Sequence, residues 1–264
     1  MLLLTNDDGV YSPGLISLAK SLSEISPLRV VAPRGPQSST GMSITFHRPV
    51  RINRVKSKGY EAIAVGGTPA DCVFLSVHKL LRGRKIDMIV SGINIGGNIS
   101  MQSFFSSGTV SAAMSGSIIG IKSVAFSKEI RSEDEQLNMS EFRNAAWWAG
   151  RIVSLLLNNG FPEEVDLLNV NFPVNTRRNT RIRITHMARE MFEDYVVERK
   201  DPRGNTYYWL AGTRKRKFEK DTDLNAVLGR SEISITPISV KSIQHPDIAA
   251  MGRFFAPLRT GGHS

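Results

Sequence analysis

Short apolar runs alternate with segments of helical periodicity along the first half of the chain. Ser12 followed by Pro13, and Thr68 followed by Pro69, are typical of a helix N-cap and its first helical residue. We expect helices from Pro13 to about residue 25, from Pro69 onward and over 109–120. The apolar runs between them predict buried strands: LLLTN, LRVVAP, IDMIVSG over 86–92, and SVAFS. This alternation predicts βαβ units and a largely parallel sheet flanked by helices, an α/β fold.

The second half of the chain is less regular. A long helix is predicted over 139–158, and buried strands are predicted at VDLLNVNFP and at SEISITPI. DYVVERK and TYYWLAG flank DPRGN, which predicts a protruding β-hairpin over about 190–215. We expect residues 1–264 to form a single domain, with this hairpin as an excursion and a C-terminal extension over about 239–264. The apolar RFFAPL in that extension predicts an oligomerisation tail.

Composition favours a folded protein outside the membrane. The chain has 264 residues, of which 41% are hydrophobic, enough to bury a substantial core. Its opening lacks the basic region of a signal peptide, and residues 110–126 are interrupted by four serines and a lysine, which argues against a membrane span. Cys72 is the one cysteine, so no disulfide within the chain is possible. We expect a cytoplasmic location.

Positive charge is concentrated in one segment. The formal net charge is +10, and residues 173–220 hold 13 Lys or Arg against 6 Asp or Glu. This segment is either a solvated basic face or a field that attracts phosphate-bearing ligands. Aromatic residues interleave with the charges there, which keeps a nucleic-acid-binding module as an alternative function, although such residues more often lie in a core or an interface: Phe192, Tyr195, Tyr207, Tyr208 and Trp209.

Two adjacent carboxylates follow the first predicted strand. Successive side chains of a strand point to opposite faces, so Asp7 and Asp8 can converge only where the chain turns, and Gly9 supplies the freedom for that turn. Two close carboxylates raise each other's pKa unless a cation compensates them. The pair is therefore either a divalent-metal site or a polar turn ahead of a helix.

Three further loops bring polar side chains to the ends of predicted strands. Ser38 lies in RGPQSSTGMS, Asn94 and Asn98 lie in SGINIGGN, and SSGTVSAA enters a helix whose free N–H groups suit a phosphate. Carboxylate, hydroxyl and amide oxygens favour Mg²⁺, Mn²⁺ or Ca²⁺, and the sequence has no Cys/His cluster for zinc. Neither a dinucleotide fingerprint nor a Walker A motif is present.

In chain order these motifs resemble those of the SurE family, the stationary-phase survival protein nucleotidases. The matching segments span residues 1 to about 238: TNDDG, APRGPQSSTGMSIT, GGTPADCV, IVSGINIGGN, SGTVSAA and SITPI. The resemblance implies a Rossmann-like core, a protruding hairpin and a C-terminal element that builds homodimers or homotetramers. It also implies a metal-dependent phosphatase that acts on nucleoside monophosphates and binds one divalent ion per subunit. Further substrates implied by the resemblance are 3′-nucleotides and short polyphosphate.

The resemblance also implies roles for individual residues. Asp7 and Asp8 match the family's metal carboxylates, Ser38 its hydroxyl ligand and Asn94 its amide ligand. The phosphate is implied to lie near Ser107, Gly108, Thr109 and Asn98. The implied reaction is attack of a metal-activated water on phosphorus, with Asp8 as the proton acceptor. Direct attack by an aspartate, giving an aspartyl-phosphate, stays open as the alternative.

Overall fold

A sheet of nine strands forms the centre of the computed structural model, which describes residues 1–57, 60–132, 137–241, 251 and 253. The strands in chain order, including two that form a separate hairpin, are β1 (Leu2–Thr5), β2 (Leu28–Pro33), β3 (Ile52–Ser57), β4 (Tyr60–Val65), β5 (Met88–Ile95), β6 (Ser123–Lys128), β7 (Leu167–Phe172), β8 (Ile182–Ile184), β9 (Phe192–Lys200), β10 (Thr206–Arg214) and β11 (Ile233–Ile238). The sheet order is β3-β4-β2-β1-β5-β6-β7-β11-β8, and its pairs are parallel except for β3–β4 and β11–β7. The predicted α/β class and largely parallel sheet are confirmed.

Helices cover both faces of this sheet. They are α1 (Pro13–Ser23), α2 (Pro69–Leu75), α3 (Ser100–Ser106), α4 (Gly108–Ile118) and α5 (Met139–Asn159). Alternate residues of β1 point to opposite faces, as the pleat requires. Leu2 and Leu4 pack in a core with residues of α1 and α5, whereas Leu3 packs with residues of α2 and α4. Burial of each such leucine stabilises the fold by about 1.5–3 kcal/mol.

The predicted helix starts are confirmed by their hydrogen bonds. The Ser12 hydroxyl accepts from the N–H of Leu15 at 3.3 Å, which caps α1. Thr68 and Asp71 form a capping box at α2, because each side chain accepts from the other residue's N–H. The helix after Thr68 differs from the prediction in one respect: it changes to a π-helical turn over Ser76–Leu80.

The end of β5 also differs from the prediction. The sequence predicts that this strand stops at residue 92, where the glycine-rich segment begins. In the structure β5 continues to Ile95, and its pairing with β6 shifts register between Ser91 and Asn94. Asn94 therefore lies near the end of strand β5 rather than in a loop.

The hairpin is confirmed and stands apart from the main sheet. β9 and β10 pair only with each other among the described strands. The Asp201 carboxylate accepts from the backbone N–H groups of Arg203 and Asn205, which fixes the turn. Most hairpin aromatics are exposed rather than buried in a core, and Leu210 is 86% exposed. Most of the predicted tail, including nearly all of RFFAPL, lies outside the described residues.

None of the helices in the described ranges is long and apolar enough to cross a bilayer.

Candidate active site

The turn that follows β1 brings the two aspartates to the carboxyl edge of the sheet. The Asn6 side-chain amide donates to the carbonyl of Gly9 at 3.1 Å and to the Ser12 hydroxyl at 2.8 Å. Gly9 has a φ of +96°, a conformation that residues with a Cβ adopt only with strain. Asn6 therefore closes the turn onto the start of α1, and Asp7 and Asp8 both line one cavity of about 740 Å³.

Each aspartate is fixed by a different element. The hydroxyl of Thr109, on the first turn of α4, donates to Asp7 Oδ1. The backbone N–H of Ile95, at the end of β5, donates to Asp8 Oδ2 at 3.0 Å. Asp7 is only 6% exposed, whereas Asp8 is half-buried and is the more accessible of the two from the cavity.

The electrostatics of the pair are unfavourable for two negative charges. Burial raises the pKa of Asp7 above its ordinary value. Burial, and secondly the neighbouring charge of Asp7, raise the pKa of Asp8 to about 7. Within the described part of the chain, neither carboxylate forms an ion pair with a Lys, Arg or His side chain. A divalent cation would supply the missing positive charge, so these residues fit the metal that the family resemblance implies.

Ser38 and Asn94 line the same cavity. The N–H of Gln37 donates to the Asp7 carbonyl at 2.8 Å, which anchors the loop that carries Ser38 beside the aspartates. The side-chain nitrogen of Asn94 donates to the Gly96 carbonyl at 2.8 Å. This bond orients the amide and leaves Asn94 Oδ1 without a donor among the described residues, so the oxygen is free to bind a cation.

The N-terminus of α4 faces the cavity through Ser107. The Ser107 hydroxyl caps the helix by accepting from the N–H of Val110 at 3.1 Å. The first N–H groups of a helix lack partners inside it, and the helix dipole makes this end favourable for anions. Phosphate oxygens bound beside Ser107 would therefore meet the positive end of the helix dipole.

The other residues predicted from the sequence hold the segments of the site in place. Thr109 is fully buried, and Gly108 packs against the Cβ of Asp7; neither lines the cavity. Asn98 does line it, but its side-chain nitrogen donates to the Ser127 hydroxyl and its backbone N–H donates to Asn171. Asn98 thus ties the loop after β5 to β6 and β7.

The cavity also contains residues that the sequence interpretation did not select. They include Glu129, Arg131, Met191, Phe192 and Arg214. Glu129 directly follows β6, so the rule that ligands bind at the carboxyl ends of parallel strands could have identified it. Arg214 could not have been found this way, because it reaches the site from the base of the hairpin, the end opposite the turn.

A family model described as "Survival protein SurE" matches residues 2–194 of the chain. The chain belongs to the SurE family. Two archaeal relatives in this family are named 5′-nucleotidase SurE. The one from Methanosarcina mazei is 39% identical over 96% of this chain and 97% of its own length, and the one from Picrophilus torridus is 40% identical over 91% of each chain.

The similarity to SurE extends to a solved structure. The crystal structure of the SurE protein from Aquifex aeolicus has a TM-score of 0.81 to this protein and is 34% identical in sequence. The match covers 97% of this chain and 99% of the Aquifex chain. The shared fold therefore includes the strand ends and loops that carry the aspartates.

The side chains that could bind a metal in this cavity include few carboxylates. The described residues contain no group of three or more His, Cys, Asp or Glu side chains arranged to hold a metal. The site implied by the SurE resemblance contains only two such side chains, and a hydroxyl and an amide complete it. Such oxygen ligands suit Mg²⁺ or Mn²⁺ rather than zinc.

Proposed function

We propose that this SurE protein is a metal-dependent 5′-nucleotidase, which hydrolyses the phosphomonoester of nucleoside monophosphates. The observation that carries the proposal is the pair of buried Asp7 and half-buried Asp8, which has no Lys, Arg or His counter-ion among the described residues and lies in one cavity with Ser107 at the start of α4. The names of the curated relatives support the substrate class. We extend the proposal to 3′-nucleotides and short polyphosphate as further substrates.

Asp7, Asp8, Ser38 and Asn94 would hold the metal ion. When bound, the ion would neutralise phosphate charge and acidify a coordinated water. Asp7 is the anchoring ligand, because Thr109 and the packing of Gly108 fix its position. Asp8 is the more accessible of the two from the cavity, so it is placed to take up the proton of the attacking water.

The phosphoryl group would lie between the aspartates and Ser107. The positive dipole end of α4 would stabilise the negative charge of the phosphoryl oxygens during the reaction. This helix is packed against the sheet, so its N-terminus needs no rearrangement during the reaction. Substrate orientation and charge stabilisation therefore come from one rigid element.

Phosphate release from a substrate panel tests this proposal. The panel contains 5′-AMP, 3′-AMP, p-nitrophenyl phosphate and tripolyphosphate, each measured after EDTA treatment and again with added Mg²⁺ or Mn²⁺. We expect release from 5′-AMP that requires the added metal. Equal release in EDTA, or no release from any phosphomonoester with either metal, would contradict the proposal.

A further inference from the structure

Glu129 is a buried carboxylate that lines the cavity, and one of its two oxygens has no hydrogen-bond partner among the described residues. Its side chain is only 4% exposed, and its Oε1 accepts from the guanidinium of Arg214 at 3.0 Å. Its Oε2 is buried and has no hydrogen-bond donor among the described residues. Leaving a buried acceptor without a donor costs about 1–3 kcal/mol, so this oxygen favours a ligand that carries a donor.

A short segment of chain links Glu129 to the aspartates. Ile95 donates its N–H to Asp8, and Gly96 donates its N–H to the carbonyl of Lys128 at 2.8 Å. A Cβ added to Gly97 would lie 2.7 Å from Glu129 Oε2, so the carboxylate lies against the backbone there. Two residues of chain span at most about 7 Å, so Glu129 and Asp8 both lie against one short segment of the cavity wall.

The surroundings of Glu129 select against a second phosphate. Arg214 already balances its charge, and another anion beside a buried carboxylate would be repelled. Met191 and Phe192 line the same cavity, and Arg214 also lies over the Phe192 ring, 5.9 Å from its centroid. A neutral donor group attached to a flat apolar group would fit this part of the cavity.

Resting on the proposed function, we propose that Glu129 is a substrate-binding residue that accepts hydrogen bonds from the pentose hydroxyls of the nucleotide. Arg214 positions the carboxylate through Oε1, and a turn of the carboxylate on sugar binding would bring the unpaired Oε2 to the pentose hydroxyls. The hairpin therefore contributes to the site through its last strand residue, because Arg214 ends β10. This assignment makes the cavity selective for the ribose of the substrate as well as for its phosphate.

Substrate analogues test the assignment in the wild-type protein. We compare kcat/KM, with Mn²⁺ present, for 5′-AMP, for 2′,3′-dideoxyadenosine 5′-monophosphate and for p-nitrophenyl phosphate. The dideoxy analogue keeps the phosphate and the base but lacks the hydroxyls that Glu129 would bind. We expect its kcat/KM to be about tenfold lower than that of 5′-AMP.

The variant Glu129→Gln keeps the size of the side chain and removes its charge. We expect about a tenfold loss in kcat/KM for 5′-AMP, and less than a twofold change for the dideoxy analogue and for p-nitrophenyl phosphate. Glu190→Gln is the matched control, since Glu190 pairs with Lys215 at 2.7 Å beside Arg214 but does not line the cavity. This control should change none of the three values.

Two outcomes would overturn the assignment. One is equal kcat/KM for 5′-AMP and the dideoxy analogue in the wild type, a result that does not depend on any variant folding. The other is an equal loss for all three substrates in Glu129→Gln, which would show that the residue supports the fold. In both cases metal-dependent hydrolysis of p-nitrophenyl phosphate by the wild type persists, whereas failure of the proposed function would abolish it.

Discussion

Asp7 and Asp8 carry carboxyl groups whose ionisation the fold opposes. Both pKa values are raised, mainly by burial, although Thr109 and the N–H of Ile95 donate hydrogen bonds that favour the charged forms. The hydrogen bonds therefore offset only part of the desolvation cost. A bound dication would offset more of it, so we expect the metal-free protein to be less stable than the metal-loaded one.

The raised pKa of Asp8 predicts a pH dependence of stability. Between pH 3.8, its ordinary pKa, and about 7, the folded protein binds more protons at this site than the unfolded chain does. The contribution of Asp8 to the free energy of unfolding is therefore largest below pH 3.8, and it is lost as the pH rises to about 7. We expect this loss to be on the order of a few kcal/mol in EDTA. Urea unfolding at several pH values measures it, and Asp8→Asn should remove the part of the slope that Asp8 contributes.

A substitution at Asp8 tests the role of its charge separately from that of its shape. Asp8→Asn keeps the shape and removes the charge, so we expect activity to fall by orders of magnitude while the fold is kept. Ser38→Ala should cost less, because water can replace a neutral hydroxyl in the coordination shell. The measurements are phosphate release and melting temperature, each in EDTA and in Mn²⁺. Wild-type activity in Asp8→Asn, with the same stabilisation by Mn²⁺, would show that the pair is only a polar turn.

At the level of elements, α4 is the helix that fixes Asp7 in the proposed metal site. A Cβ added to Gly108 would lie 2.8 Å from the Cβ of Asp7, closer than such atoms approach. We expect Gly108→Ala to displace Asp7, to lower activity at least tenfold and to destabilise the protein by about 1–3 kcal/mol. Phosphate release and thermal unfolding measure the two effects. Gly35→Ala is the control, since a Cβ there meets no atom within 4 Å; equal behaviour of the two variants would contradict the expected displacement.

Local signals in the sequence identified most elements. Apolar runs marked the strands, Ser12 and Thr68 marked helix starts, and DPRGN marked the hairpin turn, because each signal acts over a few residues. The register shift in β5 could not be predicted, since it depends on the pairing with β6.

The candidate site, too, was predictable only where local sequence signals place its residues. Asp7, Asp8 and Ser38 follow parallel strands and Asn94 lies near the end of β5, and the carboxyl edge of the sheet gathers them in one cavity. The pairing of Glu129 with Arg214 joins residues 85 positions apart. No local pattern encodes such a contact. The same holds for Thr109, whose bond to Asp7 spans 102 positions.

At the scale of the whole molecule, the hairpin presents apolar side chains that its own two strands do not cover. Trp209 pairs across the hairpin with Val197, and Leu210 pairs with Val196, so adjacent residues place apolar groups on both faces. Tyr208 is 61% exposed and Trp209 is 60% exposed. Isolated two-stranded hairpins are only marginally stable in water, which favours a further contact for this one. We propose that a second copy of the chain supplies it in a homodimer or larger assembly.

The substitution pair Tyr208→Ala and Trp209→Ala tests this assembly. Because both side chains project from the hairpin and contribute to neither face of the nine-stranded sheet, we expect their loss to weaken association by at least tenfold while cooperative unfolding of the α/β core is retained. Analytical ultracentrifugation across micromolar concentrations measures the association. Leu155→Ala is the control, since Leu155 is 60% exposed on α5 and away from the hairpin. A wild-type monomer at these concentrations would contradict the proposed assembly. Loss of cooperative unfolding in the double variant would instead show that these aromatics belong to the core. Unchanged association would show that the hairpin aromatics do not form the contact, and truncation of the C-terminal tail would then be the next test.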